Sequence, residues 1–150
     1  MKTQAAMVAN AIKTELKQEF PKIKFRVKSS NFAGGNSVDV RYVNGPAYNK
    51  VATIAEKFVS GHFDGMTDSY VYRKNRLEIS AKFISVDREI SPAVLEKMKS
   101  AVLAYYNSDY TPSGYELDRI VWDALSDTEI PEGENFNVEF DLDKNMFICR

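Results

Sequence analysis

The sequence contains one cysteine, Cys149, and one histidine, His62. A single cysteine cannot form a disulfide within the chain, and it excludes a zinc site built from four thiolates. A single histidine excludes metal sites that need several imidazole ligands. No apolar run approaches the roughly 18 residues that a membrane-spanning helix requires. We therefore expect a protein without a membrane segment, in the reducing environment of the cytoplasm.

The composition is that of an ordinary globular protein. Of the 150 residues, 44% are hydrophobic and 27% are charged, which excludes general disorder. A chain of this length buries roughly two-thirds of its unfolded surface when it folds, so its core needs neither a metal nor a disulfide. The sequence implies no cofactor.

The net charge of −1 conceals an uneven distribution along the chain. Residues 1–50 carry nine Lys or Arg and three Asp or Glu, a net charge of +6. Residues 101–150 carry three Lys or Arg and eleven Asp or Glu, a net charge of −8. This asymmetry is typical of a half that binds nucleic acid, or of an acidic half that meets a basic partner. Alternatively, the two ends neutralise each other in the folded protein.

The first half of the chain predicts helices alternating with strands. A helix is predicted over 3–20 because apolar residues recur there every four positions: Val8, Ile12, Leu16 and Phe20. Strict alternation of cations with apolar residues predicts a strand over 22–28, paired with 37–43 across a turn at 29–36. Pro46 is predicted to open a second helix that ends near Gly61.

The segments that follow complete the expected fold. We expect a loop over 62–68, then strands near 69–73 and 77–84 joined by a tight turn at Lys74 and Asn75. In the second of these strands, Ala81 and Phe83 are predicted to lie on the apolar face. Ser91 and Pro92 predict the start of a third helix, whose expected buried face consists of Val94, Met98, Val102 and Tyr105. Ser113 and Glu116 have the spacing of a capping box at the start of a fourth helix. Residues 136–148 are predicted to form a β-hairpin.

These elements predict an α+β fold, with an antiparallel sheet of about four strands and helices packed on one face. Two further helices and a terminal hairpin extend it. We expect one domain over 1–86 and an acidic extension over 87–150, packed together as one globule.

One cluster of residues has the chemistry of a catalytic site. His62, Asp64 and Asp68 lie within seven residues, and such a set can hold a divalent cation or act on a phosphodiester as acid and base. The simpler interpretation is structural, because Asp followed by Gly favours a turn through local hydrogen bonds. We favour the structural interpretation, expect no metal site, and expect the protein not to be an enzyme.

A second set of residues is cationic and lies on the predicted first strand. Side chains on one face of a strand repeat about every 6.6 Å, a spacing comparable to that of phosphates along a single nucleic-acid strand. The candidate nucleic-acid-binding residues are Lys22, Lys24, Arg26, Lys28 and Arg41. A solvated sheet surface explains the same lysines without a ligand.

A third set is acidic and lies near the C-terminus. Carboxylates on a rigid element can occupy a basic groove that normally holds nucleic acid. The candidate partner-binding residues are Glu129, Glu132, Glu134, Glu139, Asp141 and Asp143. A solubilising surface is the alternative interpretation.

Four segments of the chain resemble a domain that accompanies large polyvalent proteins of phages and conjugative elements. They are FPKIKFRVKS at 20–29, GNSVDV at 35–40, NGP at 44–46 and FDGMTD at 63–68. The resemblance covers residues 10–75 and carries no catalytic residue over to this chain. It implies a mobile-element context, in which polyvalent proteins accompany the invading DNA and small stand-alone proteins often counter host defences.

The resemblance and the charge pattern together predict a counter-defence protein, specifically an anti-CRISPR inhibitor. Its expected partner in the host bacterial cytoplasm is a defence effector such as a Cas nuclease, the RNA of that effector, or both. A metal-dependent nuclease using His62, Asp64 and Asp68, and a nucleic-acid-binding accessory protein of conjugation, are the alternatives. The sequence leaves the oligomeric state undetermined.

Overall fold

The chain folds into a mixture of helices and small β-sheets. A computed structural model describes residues 3–73, 79–106, 111–131 and 135–150. Within them the elements follow in this order: α1 (Gln4–Glu19), β1 (Arg26–Phe32), β2 (Gly35–Val43), α2 (Tyr48–Glu56), β3 (Gly61–Asp64), β4 (Ser69–Tyr72), β5 (Phe83–Glu89), α3 (Pro92–Tyr105), α4 (Gly114–Ser126), β6 (Val138–Asp141) and β7 (Met146–Cys149). The predicted α+β class and terminal hairpin are confirmed.

The described strands form one three-stranded sheet and two separate hairpins. The sheet has the order β1-β2-β5, and the hairpins are β3–β4 and β6–β7. β1 and β2 are antiparallel, as predicted. Contacts from β5 to β2 advance in the same direction along both strands, with Ser85 at Asp39 and Asp87 at Arg41, so β5 runs in the direction of β2. The sheet has three strands instead of about four, because β4 pairs with β3.

Contacts within the chain divide it into two units. The first comprises Met1–Tyr42 and Val51–Asp87, and the second comprises Val43–Lys50 and Arg88–Arg150. The segment Val43–Lys50 therefore belongs to the second unit, although the sequence analysis assigned it to the first domain.

The first unit is built on α1, which forms where the sequence predicts it. Thr3 caps the helix, since its Oγ1 accepts a hydrogen bond from the amide of Ala6 at 3.2 Å. Three residues of the predicted apolar stripe, Val8, Ile12 and Leu16, are fully buried and join a core with Val38 and Val40 of β2, whereas Phe20 follows the helix and is half-buried. Burial of such a side chain contributes about 1.5–3 kcal/mol. Helix packing on one face of the sheet leaves the other face to solvent.

The first hairpin is displaced from its predicted position. β1 begins at Arg26, not at residue 22, and continues to Phe32 through the first half of the segment predicted as a turn. Phe32 pairs with Gly35, so the turn consists of Ala33 and Gly34. Cross-strand hydrogen bonds to β2 extend the strand through residues 29–31, whose serine and asparagine side chains favour turns locally.

The prediction of a loop over 62–68 is wrong for residues 62–64. His62, Phe63 and Asp64 belong to β3, which pairs with β4, and the turn consists of residues 65–68. Gly61 allows the strands to approach, because a Cβ there would lie 2.0 Å from the carbonyl oxygen of Val71. The predicted turn at Lys74 and Asn75 lies outside the described residues.

The second unit packs α3 and α4 with the terminal hairpin. Its core is formed by residues from all three: Val94, Met98, Val102, Val121, Leu125 and Phe147. Pro92 starts α3 as predicted, whereas Tyr105 is 49% exposed and does not lie on the buried face. Ser113 precedes α4, but its side chain makes no capping hydrogen bond. No helix in the described ranges is long and apolar enough to cross a membrane.

Pro46 lies ahead of α2 and does not open it. The helix begins at Tyr48, two residues later than the sequence analysis predicted. Asn44 and Gly45, just before the proline, have positive φ angles of 52° and 66°. These left-handed residues form a turn, so the chain cannot enter the helix until it has passed the proline.

Candidate functional site

The exposed surface of the three-stranded sheet, called the outer sheet face below, presents side chains from all three strands. Successive residues of a strand point to opposite faces, so every second residue of β1 lies on this face. Its members are Arg26, Lys28, Ser30 and Phe32 of β1, Asp39 and Arg41 of β2, and Phe83, Ser85 and Asp87 of β5. This face brings charged and aromatic groups onto one rigid surface.

The predicted cationic residues are exposed, but they do not all lie on the strand. Lys22 and Lys24 precede β1, while Arg26 and Lys28 lie on it. Arg26 is directly opposite Arg41 across the β1–β2 pair. The exposure pattern therefore agrees with the predicted alternation, although the strand itself starts later.

Carboxylates on the same face reduce its positive charge. Asp39 lies opposite Lys28 in the strand register, and Asp87 lies 3.8 Å from the Arg41 guanidinium. Ser85 donates a hydrogen bond of 2.5 Å to Asp39. Both members of the Arg41–Asp87 pair are more than 60% exposed, so water screens this contact. The positive potential of the outer sheet face is therefore concentrated at the start of β1.

A row of aromatic rings continues from the outer sheet face onto the β3–β4 hairpin. Phe32 and Phe83 stack at 6.2 Å between ring centroids, Phe83 meets Tyr70 edge-on at 5.8 Å, and Tyr70 meets Tyr72 at 4.9 Å. We call these four residues the aromatic strip. Phe32, Phe83 and Tyr72 are 49%, 42% and 54% exposed, although large aromatic side chains are usually well buried.

A lysine accompanies the aromatic strip. The ammonium group of Lys82 lies 4.9 Å from the centre of the Tyr70 ring, within the distance of a cation–π interaction. The Tyr70 hydroxyl donates a 2.7 Å hydrogen bond to the Lys82 carbonyl oxygen. Exposed aromatic rings next to fixed cations are the surface elements that bind unpaired bases, and they are also frequent at protein interfaces.

The sequence analysis missed the aromatic strip for two local reasons. Phe32 fell in the predicted turn, and Phe83 was predicted on the apolar side of its strand. In the structure Ala81 is fully buried, whereas β5 begins at Phe83 with the opposite alternation. The cluster of aromatic residues at 70, 72 and 83 was the available signal, but their proximity depends on long-range pairing.

Comparison with protein-family models shows to which family this chain belongs. Residues 3–92 match the family described as large polyvalent protein associated domain 29. The chain belongs to this family. Searches of curated proteins and of solved structures each found no significant match. Family membership associates the protein with phages and other mobile elements, and it confirms the resemblance deduced from the four sequence segments.

The family match covers the outer sheet face and the aromatic strip. It begins at Thr3, the cap of α1, and ends at Pro92, the first residue of α3. The acidic residues from Glu129 onward lie outside the match. The match is also longer than the 10–75 segment on which the sequence resemblance was based.

Within the family domain, Asp64 has a structural role in the β3–β4 turn. Its carboxylate accepts a 2.9 Å hydrogen bond from the amide of Met66. This hydrogen bond, followed by one from the Thr67 side chain, lowers the pKa of Asp64 from its ordinary value of 3.8. Asp68 adopts a left-handed backbone with φ 49°. Both aspartates therefore shape the turn.

The candidate catalytic residues do not assemble into a metal-ligand set. His62 and Asp64 are two residues apart on β3 and share one face of the hairpin, and Asp68 follows in the turn. Over the described parts of the chain, no group of three or more His, Cys, Asp or Glu side chains is positioned to hold a metal ion.

The acidic candidates in the C-terminal hairpin are paired with a neighbouring arginine. The Arg150 guanidinium lies 3.4 Å from Glu139 and 3.5 Å from Asp141. Asp141 also accepts hydrogen bonds from the amides of Asp143 and Lys144 at 2.9 and 3.1 Å, as in an Asx turn. Glu129 and Asp143 are exposed, and Glu132 and Glu134 lie outside the described residues.

Proposed function

We propose that this member of the family is a counter-defence protein that acts by binding, and specifically an anti-CRISPR inhibitor. It forms a stoichiometric complex with a nucleic-acid-handling effector, such as a Cas nuclease, or with the guide RNA of that effector. Family membership supports the mobile-element context. The observation that carries the binding mode is the outer sheet face, on which Arg26 and Lys28 share one column with Phe32.

The outer sheet face is suited to single-stranded nucleic acid. Cations in a regular row attract the phosphate backbone, and exposed rings stack on bases of any sequence. Arg26 and Lys28, with Lys24 just before β1, supply the cations, while Phe32 and Phe83 supply the rings. A guide RNA or a target strand of the effector offers both a phosphate backbone and bases on which the rings can stack.

The acidic hairpin is the alternative contact, and it has less support. A phosphate mimic requires carboxylates that are free to meet a basic groove. Arg150 already lies beside Glu139 and Asp141, and the Asp141 side chain is only 11% exposed. These contacts lower the negative potential of the hairpin. We therefore place the main contact on the outer sheet face.

A binding function also agrees with the chemistry of the candidate catalytic residues. The Asp64 carboxylate accepts hydrogen bonds within its own turn, which stabilises the charged form but reduces its use as a base. The nuclease alternative therefore has weaker support than the binding function.

The experiment is a titration of the purified protein against a reconstituted effector–guide complex that cleaves DNA. We expect inhibition to be complete near a one-to-one ratio, because a binder is consumed by its target. Pull-down with and without nuclease treatment then identifies the contact. Recovery of the effector that is lost on RNA digestion supports RNA binding, and recovery that persists supports a direct protein contact.

Two double variants test the assigned surface. Lys24→Glu with Arg26→Glu reverses two exposed cations near the start of β1, and we expect it to abolish inhibition. Lys13→Glu with Lys144→Glu makes the same change in net charge at two other exposed lysines and serves as the matched control. Equal loss in both variants contradicts a specific role for the outer sheet face.

A third double variant separates binding from catalysis. Asp64→Ala with Asp68→Ala removes both turn carboxylates, and a binder keeps its inhibition if circular dichroism shows that the fold is retained. If a trace amount of the wild-type protein inhibits the effector completely and this variant does not, the protein acts as a nuclease. Nucleic-acid binding without any inhibition of effectors points to a conjugation accessory. Either result overturns the anti-CRISPR proposal.

A further inference from the structure

A polar cleft lies at the turn of the first hairpin, within the first unit. Its volume is about 560 Å³, within the range of roughly 300–1,000 Å³ found for small-molecule sites. The lining is polar, with amide, hydroxyl and ammonium groups and one aromatic ring, and it includes Asn31, Asn36, Ser60, Ser80, Tyr72 and Lys82. The backbone of Gly34 and Gly35 completes one side.

Lys82 places a positive charge at a defined position in this cleft. Its ammonium group donates a 2.9 Å hydrogen bond to the Gly34 carbonyl, and its amide donates a 2.8 Å hydrogen bond to the Asn36 side chain. Gly35 allows this arrangement, because a Cβ there would lie 2.6 Å from Cδ of Lys82. An ammonium group has three donors, so Lys82 can hold Gly34 and still meet an anionic oxygen.

The rest of the cleft is held by hydrogen bonds within the first unit. Ser60 is buried, and its hydroxyl donates to the Ala81 carbonyl at 3.1 Å and lies 3.2 Å from the Tyr70 hydroxyl. Asn31 lies directly opposite Asn36 in the β1–β2 register, so two amide side chains border the cleft side by side. The Asn31 NH2 group donates a 3.4 Å hydrogen bond to Thr3, and the Asn36 oxygen accepts the one from the Lys82 amide. Amides in fixed positions can read the hydrogen-bonding edge of a base.

The cleft is continuous with the aromatic strip. Tyr72 belongs to both, and Phe32 is next to the hairpin turn, where a Cβ on Gly34 would lie 3.9 Å from its ring. By the alternation of β1 and β2, Asn31 and Asn36 lie on the helix side of the sheet, opposite Phe32. A strand that follows the cations of β1 and stacks on Phe32 and Phe83 therefore reaches the cleft by passing around the end of the hairpin, where Tyr72 belongs to both surfaces.

We propose that this cleft binds one unpaired nucleotide of a single-stranded nucleic acid and selects its base. The base lies against Tyr72, its hydrogen-bonding edge meets the amides of Asn31 and Asn36, and a phosphate oxygen meets Lys82. This assignment rests on the proposed nucleic-acid binding of the outer sheet face and adds base selectivity to it. Stacking and phosphate contacts alone bind all bases nearly equally, whereas amide contacts discriminate between them.

The experiment measures the affinity of the full-length protein for fluorescein-labelled oligoadenosine, oligouridine and oligocytidine of equal length by anisotropy. We expect the preferred homopolymer to bind about tenfold more tightly than the least preferred, the discrimination given by one well-placed set of base contacts. Asn31→Leu removes an amide from the cleft and is expected to reduce this ratio to about one. Asn10→Leu makes the same change on the exposed surface of α1 and keeps the ratio.

The outcomes distinguish the cleft from the outer sheet face. Equal affinity for all homopolymers, or a preference unchanged in Asn31→Leu, overturns the cleft assignment and leaves the proposed binding intact. Lys24→Glu with Arg26→Glu is expected to weaken binding of every homopolymer by the same factor. An unchanged ratio of affinities then shows that the cations contribute affinity and the cleft contributes base selectivity. If the wild-type protein binds no oligonucleotide, nucleic-acid binding by the outer sheet face and the cleft assignment both fail.

A measurement on the unaltered protein avoids any effect of substitution on folding. Ultraviolet cross-linking of the preferred homopolymer, followed by mass spectrometry of the peptides, is expected to modify Tyr72. Cross-links confined to peptides that contain no cleft residue overturn the proposal.

Discussion

Arg88 satisfies four backbone carbonyl groups of the second unit. Its guanidinium donates hydrogen bonds to the carbonyl oxygens of Asn44, Gly45, Leu125 and Thr128, at distances between 2.6 and 3.0 Å. The planar guanidinium carries five donors in a fixed arrangement, which no other side chain can reproduce. Arg88 therefore joins the turn before α2 to the end of α4.

The first prediction concerns replacement of this arginine. Arg88→Met keeps much of the aliphatic stem but removes a charged donor from four partly buried carbonyls, of which those of Gly45 and Leu125 keep a backbone amide donor. We expect a loss of about 3 kcal/mol in the free energy of unfolding, because hydrogen bonds to charged groups contribute about 1.5–3 kcal/mol each and do not add fully. Urea denaturation measures this loss.

Arg119→Met is the matched control for that substitution. Arg119 forms an exposed i,i+4 ion pair with Asp123 at 3.7 Å. Such pairs contribute about 0.3–0.5 kcal/mol, so the change in stability should be small. Similar losses in the two variants would show that Arg88 acts as an ordinary surface charge.

The second prediction concerns the close approach of β3 and β4 at Gly61. Gly61→Ala introduces a Cβ that meets the backbone of Val71 and Tyr72, which cannot move without breaking the strand pairing. We expect a loss of about 1–3 kcal/mol in stability, the usual cost of overpacking. The control is Gly65→Ala, where nothing lies within 4 Å of the new Cβ. Equal thermal unfolding midpoints would contradict the packing of this hairpin.

Among the elements, the β3–β4 hairpin combines a tight strand pair with an exposed tip. Met66 in the tip is 97% exposed, and Asp64 holds the turn beneath it through the Met66 amide. These hydrogen bonds are stronger when the acceptor is a charged carboxylate. Protonation of Asp64 is therefore expected to weaken the order of the tip.

The third prediction is a pH dependence of this tip. The pKa of Asp64 in the folded protein lies below 3.8, so its stabilising effect is present above that pH and is lost as the pH falls through the folded pKa. The chemical shift of the Met66 amide, followed by NMR during acidification, should titrate with a midpoint below 3.8. Asp64→Asn removes this transition because its amide oxygen accepts the same hydrogen bond at every pH. A midpoint above 3.8 would contradict the hydrogen-bonded turn.

Over the whole molecule, charge is distributed unevenly but is partly neutralised by contacts within each unit. Arg41 pairs with Asp87 in the first unit, and Arg150 pairs with two carboxylates in the second. Pairs within a unit leave its net charge unchanged, so the first unit keeps its positive excess and the second its negative excess, as the sequence indicates. The cations that remain prominent are those at and before the start of β1.

The fourth prediction concerns the salt dependence of single-stranded RNA binding. The slope of log affinity against log salt falls by about 0.7 for each phosphate contact removed from a single strand. Lys24→Glu with Arg26→Glu should therefore lower the slope by at least about 1.4. The control variant, Lys13→Glu with Lys144→Glu, should leave it unchanged. A slope equally reduced in both variants would indicate a diffuse electrostatic effect of the net charge.

Local rules were sufficient for the elements whose partners are close in sequence. Thr3 caps α1, the stripe from Val8 to Leu16 is buried, and β6 pairs with β7 across a short turn. Each of these depends on residue spacing and short-range hydrogen bonds, which the order of amino acids specifies directly. The exposure of the cations at 22–28 follows from the same alternation.

Contacts between distant segments determined the rest of the fold and the candidate site. β5 lies beside β2, the exposed position of Phe83 depends on where β5 begins, and Arg88 finds acceptors about 40 residues away on either side. Such pairings form only when loop closure, burial and hydrogen bonding are satisfied together. A local pattern contains none of that information, so the aromatic strip and the polar cleft emerge only in the folded chain.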